Sequence, residues 1–171
     1  ELMAVLADFG PAILVYGPEF ADTARALSPG TPGAWVAMGS LFDGPAGRQS
    51  PKPEGPPDPE SPALVLYTSG TTGKPKGAML STRMLLANSA QTTLGWSLTE
   101  EDRTVTAAPL FHTGGWNVLT LPLLLRGGQV TLLRKFEAAR VSKLLQEGRA
   151  TVLFGVPTMF QSLLDAGIAE A

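Results

Sequence analysis

The residues best suited to chemistry form one short run, 67–77, which reads YTSGTTGKPKG. Its three glycines allow the backbone to approach a ligand closely and to present successive N–H groups to an anion. Four aliphatic hydroxyls add hydrogen-bond donors, and two lysines add positive charge. This combination predicts a loop that holds a polyphosphate.

The run differs from the Walker A pattern, in which Gly, four residues and then Gly-Lys-Ser/Thr lead directly into a helix. Thr68 stands where the first glycine is required, and Pro75 follows Lys74. Because the residue before a proline is pushed away from helical geometry, Lys74 cannot open a helix. A P-loop kinase is therefore disfavoured, and a solvated glycine-rich turn is the alternative that stays open.

Helix and strand patterns alternate along the chain and predict an α/β fold, with a mostly parallel sheet flanked by helices. Ligands in such folds gather at the carboxyl ends of strands, and the run 67–77 follows a predicted strand. The predicted strands are 13–16, 34–38, 63–67, 104–107, 129–133 and 151–154. The predicted helices are 2–9, 19–27, a helix capped by Ser81 that runs to about 94, 116–125, 136–147, and a helix from Pro157 to 164.

Proline content divides the chain into three regions. Seven prolines fall among the nineteen residues 44–62, which predicts an extended surface connector. Residues 1–43 before it form an upstream helix–strand region, and residues 63–171 form the α/β region with the glycine loop. The chain starts without an initiator methionine and stops without a closing feature, so we expect a piece of a longer chain.

Composition excludes several classes of function. The chain has thirteen basic and fifteen acidic residues and no basic run, so its sequence does not indicate binding to nucleic acid. The longest apolar run is far shorter than a membrane span. There is no cysteine, hence no disulfide and no thiolate nucleophile, which fits a cytoplasmic location. A small-molecule function is expected.

At residues 67–77 the chain resembles the adenylate-forming enzymes, whose loop reads close to [Y/F]-T-S-G-[S/T]-T-G-x-P-K-G. All eleven positions match. The resemblance implies that the loop embraces the phosphates of ATP, with Thr68 near Mg²⁺ and with Lys74 at the variable position. The implied phosphate contacts are Thr68, Ser69, Gly70, Thr71, Thr72, Gly73, Lys74 and Lys76.

A second segment, PLFHTGGW at 109–116, is similar to the family's P-x-F-H element. The resemblance implies that His112 borders the acyl and adenylate pocket and is the catalytic candidate, with Thr113 and Trp116 lining the pocket. Composition alone favours a packed structural role for a lone histidine. For Trp116, a place in the core and a place in a pocket wall are equally open. A weaker match, Val156-Pro157-Thr158, is assigned a structural role.

The resemblance also implies downstream elements that do not occur in the chain: a magnesium-binding glutamate, a ribose-binding aspartate and a C-terminal lysine. Nucleotidyl transfer depends on positioning and on charge neutralisation, so these 171 residues alone are expected to be inactive. A sheet that lacks its neighbouring strands exposes an edge, which makes self-association an expected property.

The resemblance implies part of the large N-terminal domain of an ATP-dependent carboxylic acid:CoA ligase, with ATP, Mg²⁺ and coenzyme A as cofactors and co-substrates. The acid would be a fatty or an aryl acid. The sequence at 109–116 favours acyl- or aryl-CoA ligases over peptide-synthetase modules. The alternatives are a non-catalytic ATP- or phosphate-binding piece, a purely structural piece, and part of a peptide-synthetase adenylation domain.

Overall fold

The structure is a computed structural model that describes residues 2–42, 55–56, 58–68 and 74–168. Most of the predicted connector and residues 69–73 of the glycine loop lie outside the described residues. The chain divides into two compact units, the first formed by Glu1–Pro57 with Tyr67–Ala78 and the second by Asp58–Leu66 with Met79–Ala171.

The first unit is built on a parallel pair of strands. Helix α1 (Leu2–Phe9) leads into β1 (Ile13–Tyr16), and α2 (Ala21–Leu27) leads into β2 (Ala34–Ala37). The strands pair in parallel from Ile13 opposite Ala34 to Tyr16 opposite Ala37. This is the crossover arrangement that alternating strand and helix patterns predict. Short 3₁₀ helices lie at Pro18–Phe20, Ser28–Gly30 and Met38–Phe42.

The next pair of strands brackets the glycine loop. Strand β3 (Pro62–Thr68) includes the first two residues of the run 67–77, and β4 (Lys76–Ser81) begins at its last lysine. The two strands form a two-stranded sheet. The sequence predicted β3 but not β4. Most residues of β4 are exposed, so the strand shows none of the apolar alternation that marks a half-buried strand.

Helix α3 (Thr82–Gly95) begins where the sequence predicts. The Ser81 hydroxyl accepts a hydrogen bond from the backbone N–H of Met84 at 3.3 Å. Such a cap satisfies one of the N–H groups that a helix start leaves unpaired. The backbone at the start of α3 also bonds back to the turn before β3, with the N–H of Arg83 donating to the Pro59 carbonyl at 2.8 Å.

A second parallel pair forms the centre of the second unit. Strand β5 (Arg103–Thr106) pairs in parallel with β6 (Gln129–Leu132), and Thr104 also makes a parallel bridge to Val152. The predicted strand 151–154 is therefore reduced to a single bridge. The remaining helices are α4 (Thr113–Asn117), α5 (Thr120–Arg126), α6 (Ala138–Gln146) and α7 (Pro157–Asp165).

The helix predicted over 116–125 is two helices. Pro122 has no N–H, so it cannot donate to the carbonyl of Val118 four residues before it, and its ring crowds that carbonyl. The break between α4 and α5 falls at 118–119, at the carbonyl that would accept this bond in a continuous helix. Helix α5 then ends at Gly127, whose φ of 92° is the left-handed conformation typical of a helix C-terminus.

The core of the second unit consists of two clusters. Val105 of β5 packs with the buried side of α6 and with Leu163 of α7, while Leu98, Leu119 and Leu123 form the other cluster. Helix α6 is amphipathic, as predicted, with Val141 and Leu144 on its buried face. Parallel pairing flanked by helices confirms the predicted α/β fold. In the part of the chain that the structure describes, none of the helices has the length and apolar character to cross a bilayer.

Candidate functional site

The predicted phosphate loop is anchored on the last residue of β3 and the first residue of β4. Thr68 closes β3 and is exposed, which leaves its hydroxyl accessible. Lys74 and Lys76 lie at the C-terminal end of the loop, and both side chains are exposed. The intervening predicted contacts, Ser69, Gly70, Thr71, Thr72 and Gly73, lie outside the described residues. The described ends of the loop thus place one hydroxyl and two ammonium groups in solvent.

Tyr67, the residue before Thr68, is tied to helix α1. Its hydroxyl donates a hydrogen bond to Oδ2 of Asp8 at 2.6 Å. This bond, together with the negative charge of Asp8, raises the pKa of Tyr67 above its ordinary value of 10.0. Helix α1 ends at Phe9, and the next residue, Gly10, has a left-handed φ of 58° and donates its N–H to the Leu6 carbonyl.

His112 lies in the segment that joins the carboxyl end of β5 to α4. The backbone around it is fixed by a turn, because its N–H donates to the Pro109 carbonyl at 3.1 Å and its carbonyl accepts from Gly115 at 3.1 Å. The imidazole is exposed and contacts the Phe111 ring, with ring centroids 4.7 Å apart. An exposed ring is not the packed core histidine that composition alone favours.

Helix α4 carries the other two residues predicted beside His112. Thr113 is exposed, and its Oγ1 accepts a hydrogen bond from Nδ2 of Asn117 at 2.9 Å. Trp116 is half-buried, and its indole Nε1 is buried with no hydrogen-bond partner among the described residues. Because an unpaired buried N–H costs about 1–3 kcal/mol, this orphaned donor is consistent with a ligand that supplies an acceptor.

Buried hydroxyls hold α4 against β5. The Thr120 hydroxyl donates to the carbonyl of Gly115 at 2.6 Å, and it lies 2.8 Å from the hydroxyl of Thr106, the last residue of β5. Since the Thr120 hydrogen goes to Gly115, Thr106 is the donor of the second bond. This chain of hydrogen bonds positions the His112 segment at the carboxyl end of a parallel strand, where ligands bind in α/β folds.

Two neighbouring glycines allow this close packing. A Cβ on Gly115 would collide with the backbone carbonyl of Pro109, whereas a Cβ on Gly114 would lie 3.1 Å from the Phe154 ring. The turn before α4 therefore requires Gly115 in particular.

The oxygen donors at the loop fit Mg²⁺ only in combination with phosphate. The described residues contain no group of three or more His, Asp or Glu side chains that could hold a metal ion. Mg²⁺ binds through a few protein oxygens together with substrate phosphates and waters, rather than in an all-protein cage. The exposed Thr68 hydroxyl suits this mode, in which phosphate oxygens supply most of the negative charge.

The described site residues fall into two groups. Thr68, Lys74 and Lys76 lie in the first unit, while His112, Thr113 and Trp116 lie close together in the second. Sequence reasoning missed Asp8, Asn117 and Thr120. A signal existed for the last two, since they are polar residues three apart within the apolar run 114–125. Nothing local points to Asp8, whose partner is 59 positions away.

Comparison with known proteins identifies the family. The family described as "AMP-binding enzyme" matches residues 1–171. Feruloyl-CoA synthase of an Amycolatopsis species is 38% identical over an alignment of 167 positions that covers 95% of this chain and 32% of that protein. Indoleacetate–CoA ligase of Aromatoleum aromaticum is 34% identical over an alignment of 177 positions that covers 96% of this chain and 34% of that protein.

The fold matches a solved structure of ATP-bound MatB from Rhodopseudomonas palustris. The TM-score is 0.80 at 35% identity, over 96% of this chain and 33% of that chain. The chain thus spans about a third of the length of the curated relatives it matches. With a match over its whole length, this chain belongs to the family of AMP-binding enzymes, as the loop at 67–77 predicted.

Proposed function

We propose that the protein to which this chain belongs is an ATP-dependent carboxylic acid:CoA ligase. In the first step a carboxylate oxygen attacks the α-phosphorus of ATP, the bond to the bridging oxygen breaks, and acyl-AMP and pyrophosphate form. In the second step the thiol of coenzyme A loses its proton and attacks the acyl carbonyl, and AMP leaves. The observation that carries this proposal is the family match along the whole chain, with relatives whose names describe acid–CoA ligation.

The proposed role of the glycine loop is to bind the phosphates of ATP. Thr68 and residues 69–73 donate hydrogen bonds to phosphate oxygens, and Lys76 neutralises their charge. Lys74, at the variable position, adds a second positive charge. Two observations support this role: the loop sequence matches the family pattern, and Thr68 and both lysines are exposed at its described ends. Mg²⁺ would be held by phosphate oxygens together with the Thr68 hydroxyl, and would neutralise charge that develops on them.

The proposed role of His112, Thr113 and Trp116 is to line the pocket for the acid and the adenylate. The exposure of His112 and the unpaired indole N–H of Trp116 support a ligand-facing position. The acid is proposed to be an aryl or a fatty acid. The aryl class draws support from two relatives, because feruloyl and indoleacetate groups are both aromatic.

Pyrophosphate exchange tests the first step. With the whole protein, Mg²⁺-ATP and a panel of aryl and fatty acids, exchange of labelled pyrophosphate into ATP is expected to depend on one class of acid. The variant His112→Ala is expected to lower kcat/KM for the acid while leaving the melting temperature unchanged, because the imidazole is exposed. Absence of exchange with every acid would favour the non-catalytic phosphate-binding alternative.

Product analysis tests the second step. A CoA ligase forms a thioester with coenzyme A, whereas a peptide-synthetase adenylation domain passes the acyl group to a carrier-protein thiol. Acid-dependent exchange without any CoA thioester would therefore favour the adenylation-domain alternative. Self-association remains a prediction. Measuring the molecular mass of the protein in solution would test it.

A further inference from the structure

Asp8 occupies an unfavourable position on its own helix. It is the second-last residue of α1, where the carbonyl end of the helix dipole carries partial negative charge. The last turn of α1 contains no basic residue that would offset this repulsion. Helix stability therefore does not explain a carboxylate at this position.

Asp8 contacts Tyr67, the first residue of the glycine loop. Its carboxylate accepts the hydroxyl hydrogen of Tyr67 at 2.6 Å, a short distance typical of a hydrogen bond to a charged acceptor. Tyr67 is half-buried in β3, and Thr68 follows it directly. The tyrosine side chain is thus held at both ends, by its own strand and by α1.

A side chain held at both ends limits the rotation of the backbone that carries it. We propose that Asp8 is a positioning residue for nucleotide binding: by accepting the Tyr67 hydroxyl, it fixes the direction in which the chain leaves β3 at Thr68. This inference rests on the proposed role of the loop in phosphate binding. The family pattern accepts either Tyr or Phe at this position, so the bond is a property of this chain and not of the pattern.

The proposal distinguishes two effects of removing the carboxylate. A residue with a merely structural role would, when removed, lower stability and leave the KM for ATP unchanged. A positioning residue at the loop root would raise the KM for ATP without changing the KM for the acid. Removing the carboxylate loses the Tyr67 bond but also relieves a negative charge at the carbonyl end of α1, so these effects on stability oppose each other and the melting temperature is expected to change little.

Steady-state kinetics of the whole protein test this, with the variants Asp8→Ala, Tyr67→Phe and the double variant. Each single variant is expected to raise the KM for ATP by about 2- to 5-fold, because the bond is a charge-assisted contact at an exposed position. The double variant is expected to be no worse than either single variant, because both remove the same bond. Asp8→Asn retains an acceptor oxygen and is expected to restore most of the affinity.

Asp22→Ala is the matched control. Asp22 is an exposed carboxylate in the same unit, and it pairs with Arg25 at 2.8 Å on α2. This variant is expected to leave the KM for ATP unchanged.

The outcomes separate the inference from the function on which it rests. Wild-type protein that does not bind Mg²⁺-ATP in a titration overturns the proposed function, and this inference with it. If wild-type protein binds ATP and the Asp8→Ala and Tyr67→Phe variants bind it equally well, only this inference is overturned. A fall in melting temperature with an unchanged KM for ATP would also overturn it, since that result describes a structural contact.

Discussion

The hydroxyl of Thr120 donates to the carbonyl of Gly115 at 2.6 Å and joins the first residue of α5 to the middle of α4. The same oxygen accepts from Thr106, so one buried side chain serves two partners. On β5, two residues before Thr106, Thr104 is equally buried, but its hydroxyl has no partner among the described residues. Replacing Thr120 or Thr104 by valine is therefore expected to have opposite effects on stability.

Thr120→Val is expected to destabilise the protein by about 1–3 kcal/mol, because it leaves the Thr106 hydroxyl and the Gly115 carbonyl without this partner. Thr104→Val removes a hydroxyl that is already unpaired, so it is expected to be neutral or stabilising. Valine has nearly the same shape as threonine, which limits packing differences between the two variants. Melting temperatures measured side by side check the prediction, and equal losses for both variants would contradict it.

The adjacent glycines of α4, Gly114 and Gly115, give a second matched comparison. Gly115→Ala is expected to cost about 2 kcal/mol or more, because its Cβ meets the rigid Pro109 carbonyl. Gly114→Ala meets only the Phe154 ring, which can move, and alanine favours the helix by about 0.5–1 kcal/mol. Thermal unfolding is expected to separate the two variants clearly. A Gly115→Ala variant as stable as Gly114→Ala would show that the turn at 109–115 is not constrained in this way.

Asp102 makes stability depend on pH. Its carboxylate accepts hydrogen bonds from the backbone N–H of Thr99 at 2.8 Å and from the Thr151 hydroxyl at 2.7 Å. These bonds, the Thr99 bond above all, hold the pKa of Asp102 below its ordinary value of 3.8. A depressed pKa in the folded state adds stability that is complete above the unfolded value and is lost as the pH falls through the folded one.

Asp102→Asn is therefore expected to be less stable than wild type at pH 7, with a difference that narrows as the pH falls below 3.8. Melting temperatures at pH 7, 5 and 3 check this. Glu101→Gln is the control, because Glu101 takes part in the same turn through its backbone N–H. A stability gap for Asp102→Asn that stays constant with pH would contradict the assignment.

The two lysines of the loop are expected to differ in their effect on ATP binding. Lys76→Ala is expected to weaken Mg²⁺-ATP binding by about 10-fold or more, the cost of losing a charge-assisted hydrogen bond. Lys74→Ala is expected to weaken it by at most about 5-fold, as for an exposed charge pair. Calorimetric titration of the whole protein compares the two. The reverse order would mean that Lys74 is the principal phosphate contact.

Local signals in the sequence predicted most of the helices and strands. Ser81 caps α3, Pro157 opens α7 and Gly127 ends α5, and each acts through its own backbone or side-chain chemistry. Two features escaped prediction. The exposed strand β4 lacks the apolar pattern that marks a half-buried strand, and the break before α5 is caused by Pro122 but falls four residues earlier, at Val118.

For the candidate site, the sequence predicted the family but left the contacts between its residues undetermined. The loop motif and the P-x-F-H element indicated the family, which the comparison confirms. The roles of the individual site residues stay predictions, and residues 69–73 lie outside the described part of the chain. The hydroxyl chain from Thr106 through Thr120 to Gly115 could not be read from spacing, because it joins a strand to two helices.

The separation between Asp8 and Tyr67 bears on the order of events during folding. The two residues are 59 positions apart, so their hydrogen bond forms only after the chain has closed a long loop, at a substantial entropic cost. Helix α1, and the pair formed by β3 and β4, are each built from residues close in sequence, so they can begin to form before that closure. We therefore expect the start of the glycine loop to acquire its final orientation late, after the elements on either side of it have formed.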